Sequence, residues 1–121
     1  MSYHQRQQRL TQALRNTSGQ GIRLSKQTSN LFRNRSTQGQ VLDVHEFNHV
    51  LAIDPVTRII ETEGMVTYEA LVDASLRQGL MPAVVPQLKS ITIGGAVSGI
   101  GIESSSFRYG LPHETVLEMD V

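Results

Sequence analysis

The residues able to do chemistry concentrate in one stretch, Ile91-Thr92-Ile93-Gly94-Gly95-Ala96-Val97-Ser98-Gly99-Ile100-Gly101-Ile102-Glu103-Ser104-Ser105-Ser106. Gly94, Gly95, Gly99 and Gly101 fall within eight positions. Lacking a Cβ, they let the backbone approach a ligand closely and adopt positive φ. Successive N–H groups held in that way form an anion-binding concavity. Ser98 and Ser104 to Ser106 add hydroxyl donors. A diphosphate, anionic and extended, suits such a run of backbone donors. The spacing matches neither the GxGxxG of a dinucleotide-binding βαβ turn nor a P-loop, which needs Lys-Ser/Thr. A bulged strand or a tight turn packed against another backbone would use the same glycines, so the pattern alone leaves both readings open.

The other titratable groups are scattered. His4, His45, His49 and His113 show no ligand spacing. His45 and His49 would share a helix face, but their flanks are strand-like, and no metal site is expected. The absence of cysteine excludes disulfides, thiol catalysis and cysteine metal sites. No Ser/His/Asp arrangement is recognisable, and no catalytic residue is assigned. Tyr109 reads as a packed aromatic rather than a proton donor.

The elements that must position this stretch come from a chain of 121 residues, room for one small core. Its 39% apolar and 18% charged residues fit a globular chain. With aromatics at 5%, the core must rest on Leu, Ile, Val and Ala. No apolar run approaches the roughly 20 residues of a membrane helix. The polar opening residues Ser2, His4, Gln5 and Arg6 do not read as a secretory signal, so a cytoplasmic location is expected.

The zero net charge conceals an asymmetry. Residues 1–40 carry Arg6, Arg9, Arg15, Arg23, Lys26, Arg33 and Arg35 and no acid, whereas all 11 acidic residues follow. A basic opening suggests an anionic partner: nucleic acid, a membrane surface or a phosphate-bearing cofactor. A solvated helix face would account for Arg6, Arg9 and Arg15 equally well. No aromatic platform accompanies the basic helix, which argues against nucleic acid.

Residues 5–16 predict a polar helix with Leu10, Ala13 and Leu14 on a narrow face, ended by Gly19 and Gly21. Ile22 to Leu24 predict a short strand, and residues 25–40 a polar loop. Val41 to Val44 predict a strand. His49 to Asp54 and Arg58 to Thr62 predict a hairpin about Asp54-Pro55-Val56-Thr57. Thr67 can cap a helix with Tyr68, Leu71, Val72, Ser75 and Leu76 on one face, closed by Gly79. Leu80 to Val85 read as extended up to Pro86, and Thr115 to Val121 as a strand. The order is that of an α+β chain.

The run Pro86 to Gly95, followed by Gly99-Ile100-Gly101-Ile102-Glu103-Ser104-Ser105-Ser106 and Tyr109-Gly110-Leu111, resembles the FAD-binding segment of the vanillyl-alcohol-oxidase-type flavoproteins. It is most similar to the branch holding the Diminuto and sterol Δ24-reductase proteins, and Gly-Ile-Glu-Ser-Ser-Ser is the specific part. The resemblance spans roughly residues 21–121. It implies an α+β, PCMH-type FAD-binding subdomain, a small sheet with flanking helices, incomplete at its C-terminus. A polar helix and linker at 1–20 would precede a partial FAD-binding domain at 21–121.

In such proteins an early loop and a later Gly-rich loop close around the FAD diphosphate. Carried over, the early loop is Ser25, Lys26, Gln27, Thr28, Ser29 and Asn30. The later one is Thr92, Ile93, Gly94, Gly95, Ala96, Val97 and Ser98, with Gly101, Ile102, Glu103, Ser104, Ser105 and Ser106 running toward the flavin or ribityl chain. Glu103 would orient a ribityl hydroxyl or cap the local backbone. Many relatives bond FAD covalently through a His in the early loop. Lys26 to Asn30 hold none, so FAD is expected to be non-covalent. The implied activity is flavin-dependent hydride transfer on an unidentified substrate, with a separate substrate domain normally following. The alternatives are a non-catalytic FAD-binding remnant or subunit completed by a second polypeptide or by self-association at an open sheet edge near Val121, and, less favoured, a small nucleic-acid-binding protein with a basic arm.

Overall fold

The computed structural model describes residues 1–17, 19, 21–26 and 39–121. They group into two compact units, Met1–Phe47 and Asn48–Val121.

In the first unit, helix α1 (Tyr3–Arg15) starts at a capping box. The Gln5 N–H donates to Ser2 Oγ at 3.3 Å, and Ser2 N donates back to Gln5 Oε1 at 2.8 Å. Arg15 in the last turn complements the negative end of the helix dipole. Strands β1 (Ile22–Ser25) and β2 (Gln40–Asp43) pair in parallel, with Ile22 opposite Gln40 and Ser25 opposite Asp43. At its start the pair closes through Gln40 N to the Gly21 carbonyl, 2.8 Å. Gly39, at φ 100°, lies so close there that a Cβ would run into that carbonyl. α1 packs against β2, and Leu42 and Val44 are buried. Arg9 meets Glu46 at 2.6 Å with both side chains about half exposed, a geometry worth only a few tenths of a kcal/mol, on the order of 0.2–1.

The second unit opens with the expected hairpin of β3 (Val50–Asp54) and β4 (Ile59–Thr62), antiparallel, with a bulge between Val50 and Ala52. The Asp54 carboxylate accepts from Val56 N at 2.9 Å and Thr57 N at 3.3 Å, which tightens the turn. Those donors, with the Thr57 side chain, hold its pKa below the usual carboxylate value.

Helix α2 (Tyr68–Leu76) is capped by Thr67, whose Oγ1 accepts from Ala70 N at 3.2 Å. Gly79 ends it at φ 71°, with Gly79 N to the Leu76 carbonyl and Leu80 N to the Ser75 carbonyl, both at 3.0 Å. This is the paired 5→2 and 6→1 bonding of a Schellman motif.

The core is Val66, Tyr68, Leu71 and Ala96, with Val50, Ile60, Val85, Ile91 and Ile93 packed against it. Leu80 to Val85 form no regular strand. Residues 116–121 are likewise irregular, after a 3₁₀ turn at Pro112–Thr115. The strand expected at Thr115 to Val121 is therefore absent, and with it the open sheet edge there. Pro112 at the turn's start and the Glu114 carboxylate on Leu111 N at 2.6 Å favour the tight turn, and among the described residues no strand pairs with the segment.

Burial pushes the Tyr68 phenol above its ordinary value of 10.0. The folded state favours the neutral ring, so this contribution is complete below pH 10 and is lost as pH rises through the raised value. Urea midpoints should fall as pH rises above 10, and Tyr68→Phe should flatten that fall. Equal slopes in both proteins would remove burial of Tyr68 as its cause.

Candidate cofactor-binding site

The Gly-rich stretch is positioned by an antiparallel bridge between two helix caps, Thr67 and Thr92. Around it, Tyr68 N donates to the Ile91 carbonyl at 2.9 Å and Glu69 N to the Lys89 carbonyl at 3.0 Å. Ile93 N donates to the Val66 carbonyl at 2.9 Å and Gly94 N to the Gly64 carbonyl at 2.7 Å. The two helices therefore begin side by side from one backbone ladder.

Thr92 is buried and its Oγ1 accepts from Gly95 N at 3.1 Å. Residues Ile93–Ser98 form helix α3, in place of the open loop expected over Thr92 to Ser98. The physical reason is the threonine cap together with the ladder. The N–H groups of Ile93, Gly94 and Gly95 are all engaged inside the protein, and Ala96 N bonds the Thr92 carbonyl at 2.9 Å. These four amides cannot form the concavity that the glycine pattern suggested. What the glycines provide here is close packing. A Cβ on Gly94 would lie 2.9 Å from the Gly64 oxygen.

The backbone donors left open lie a turn later. Gly99, at φ −106° and ψ 15°, ends α3 with its N–H on the Gly95 carbonyl at 2.8 Å. Ile100 and Gly101 then take φ of 74° and 58°. A right-handed residue followed by left-handed ones turns successive N–H groups to one side. Among the described residues, the N–H groups of Ile100, Gly101 and Ile102 have no hydrogen-bond partner. Gly101 sits against Ala96 and Pro112, both buried. The turn is thereby held by the packing of α3 on the Pro112–Thr115 turn.

Ile100 was not among the residues expected at the site. Its residue type gives no sign of positive φ, since a β-branched residue there is strained. The only signal is its place between two glycines. Ile100→Gly should relieve about 1 kcal/mol of that strain, the left-handed cost of an L-residue less glycine's extra chain entropy. A higher thermal midpoint would register it, and an unchanged or lower one would show that the turn is unstrained.

After the turn, Ser106 N bonds the Glu103 carbonyl and Glu103 N bonds Ser106 Oγ, each at 3.1 Å. This leads into the single turn α4 (Ser106–Tyr109). The Glu103 carboxylate accepts from the hydroxyls of Ser105 and, more distantly, Ser104. Ser105, through hydroxyl and backbone, is the main cause that holds the Glu103 pKa below the usual carboxylate value. The serine hydroxyls are thus turned toward the Glu103 carboxylate.

Ile102 and Phe107 are 74% and 91% exposed. Tyr109, expected to be packed, is about half exposed with the Arg108 guanidinium 5.3 Å from its ring centroid, because its four-residue helix lays no face on the core.

Of the expected early loop, Ser25 ends β1 and Lys26 follows it half-buried. Gln27, Thr28, Ser29 and Asn30, like Arg33 and Arg35, lie outside the described residues. His45 Nδ1 pairs with Asp43 at 2.7 Å, and His49 Nδ1 with the buried Glu63 at 2.8 Å. Among the described residues, no three His, Asp or Glu side chains gather as a metal site, and no helix is long and apolar enough to cross a membrane.

A short capped helix thus runs into a left-handed turn with three open amides, and successive open backbone donors are the kind of group that suits an anion such as a diphosphate. The pattern of the FAD binding domain family matches residues 6–121. The chain belongs to that family, and its cofactor is FAD. It is 34% identical to a Δ24-sterol reductase of Pisum sativum over 80 residues, 66% of this chain and 14% of that protein. With a Δ24-sterol reductase of Arabidopsis thaliana it shares 36% over 75 residues, 62% of this chain and 13% of the relative. With the decaprenylphosphoryl-β-D-ribose oxidase of Mycolicibacterium smegmatis it shares 34% over 59 residues, 49% and 13% of the two chains. The matched segment thus spans about one seventh of these relatives.

Proposed function

We propose that these residues are the FAD-binding portion of a flavin-dependent oxidoreductase, the N-terminal part of a PCMH-type domain that holds FAD without a covalent bond. The observation that carries the reading is the open N–H row at Ile100, Gly101 and Ile102, which leads into the stretch Gly101 to Ser106 that resembles the FAD segment most specifically. Gly99 and Ile100 join Gly101, Ile102, Glu103, Ser104, Ser105 and Ser106 as the residues that would meet the anionic part of the cofactor. Thr92 to Ser98 serve by close backbone approach and by holding the turn. Ser25 to Asn30 are assigned on the resemblance alone.

Bound FAD supplies an isoalloxazine ring able to accept or donate a hydride. The chain's own part is to hold and orient the cofactor. Its relatives' names place reductase and oxidase activities in the lineage.

Thermal unfolding with FAD, FMN and riboflavin tests the reading. FAD should raise the midpoint, by mass action on the folded state, well beyond riboflavin, which has no phosphate. Acid precipitation of the yellow protein should leave the flavin in the supernatant. Equal effects of FAD and riboflavin would overturn diphosphate recognition, and flavin retained in the pellet would overturn non-covalent binding.

A further inference from the structure

Glu103 is an acid set within a run of donors. It follows Ile100, Gly101 and Ile102, whose N–H groups are open among the described residues, and precedes Ser104, Ser105 and Ser106. Its carboxylate accepts the hydroxyl of Ser105 and, at 3.4 Å, that of Ser104. The Ser106 hydroxyl oxygen accepts from Glu103 N at 3.1 Å. Two of the serine donors that an anion could use are therefore already turned to an internal carboxylate.

The charge of that carboxylate is not offset. Among the described residues no Lys, Arg or His lies within ion-pair distance of it. Arg108, the nearest cation along the chain, has its guanidinium 5.3 Å from the centroid of the Tyr109 ring. Bonds from Ser105 hold the acid below the usual carboxylate pKa, so it is ionised at neutral pH. A diphosphate must then either displace the carboxylate from the hydroxyls or bind without them. In both cases it meets a like charge, and near the surface that repulsion is weakened but not removed.

We propose that Glu103 is a built-in competitor of the FAD diphosphate. By occupying the Ser104 and Ser105 hydroxyls and by repulsion, it keeps FAD affinity below what the same backbone would give with a neutral residue at 103. The inference rests on the reading of Gly99 to Ser106 as the segment that meets the anionic part of FAD.

Titrations of the intact chain with FAD and with riboflavin test it. Glu103→Gln removes the charge but keeps an oxygen that can accept from the serines. It should bind FAD about fivefold more tightly, with riboflavin affinity unaltered. Glu103→Asp keeps the charge and should show no gain. Glu61→Gln, the same change of charge at an exposed position of β4, should leave FAD affinity as it is. In roughly 1 M salt, where charges are screened beyond about 3 Å, the gain of Glu103→Gln should all but vanish. Thermal midpoints without flavin check that each variant folds. If Glu103→Gln binds FAD no better than wild type, the competition is absent, and weaker binding would mark Glu103 as a direct ligand of the cofactor. An equal gain in Glu61→Gln or Glu103→Asp, a gain shared by riboflavin, or one that survives high salt would also overturn the proposal. Equal affinity of the wild-type chain for FAD and riboflavin would instead overturn the diphosphate reading itself.

Discussion

Gly101→Ala is expected to destabilise the chain by about 2–4 kcal/mol, the sum of a left-handed backbone cost and crowding in a filled site. At φ 58° an L-residue is disfavoured in any surroundings. Here the new methyl would also lie 2.8 Å from Pro112 Cγ and 3.1 Å from Ala96 Cβ, both buried and without room to retreat. Gly79→Ala is the matched control. It has φ 71° and nothing within 4 Å of the built Cβ, so it should lose only the backbone part, about 1 kcal/mol. Urea unfolding of the two variants separates the terms. If Gly101→Ala proves no worse than Gly79→Ala, the packing of the turn on Pro112 does not constrain it. Because the same turn presents the open amides, Gly101→Ala should also reduce the thermal shift given by FAD.

The second large effect runs against a propensity rule. Glycine to alanine within a helix ordinarily stabilises by about 0.5–1 kcal/mol. At Gly94 the sign should reverse. The added Cβ would stand 2.9 Å from the Gly64 carbonyl oxygen and 3.4 Å from the Met65 methyl. That carbonyl accepts the Gly94 N–H at 2.7 Å, so relief requires the helix start to part from residue 64. Gly94→Ala should cost about 1–3 kcal/mol, the range for overfilling a packed site. Gly95→Ala, one residue on, meets only the Thr92 hydroxyl, at 3.0 Å, and should cost much less. Denaturation midpoints in the order wild type, Gly95→Ala, Gly94→Ala would establish the contact. The reverse order of the two variants would remove the Gly64 approach as the reason for a glycine at 94.

These two glycines show where reading the chain in one dimension succeeds and where it stops. The stretch from Ile91 to Ser106 was legible as a place where backbone meets something closely, because glycine density has few other uses. Which neighbour each glycine meets was not legible. Gly94 faces the backbone of residue 64 and Gly101 faces Pro112. Neither partner is near in sequence to the glycine it excludes a side chain from. The expected phosphate loop accordingly split in two: a helix with its first donors used, and a following turn with its donors open.

Elements governed by neighbours a few residues away could be read directly. Ser2 with Gln5, Thr67 with Ala70, and Asp54 with Val56 each close a short hydrogen-bonded ring whose members lie within one turn. The α1 helix, the hairpin and α2 therefore stand where capping and turn chemistry put them. The Thr115 to Val121 segment forms no strand because an extended segment is a strand only beside another, and among the described residues none pairs with it.

By itself, then, the sequence determined α1, the strands of the first pair and the hairpin, α2 with its caps, and the stretch whose resemblance named FAD as the cofactor. The tertiary structure decided the parallel pairing of β1 with β2, the bridge between Thr67 and Thr92, and the shift of open amides to Ile100–Ile102. The division follows from range. Caps and turns are decided by atoms a few bonds along the chain, whereas the availability of a backbone donor depends on whether some distant carbonyl has already taken it.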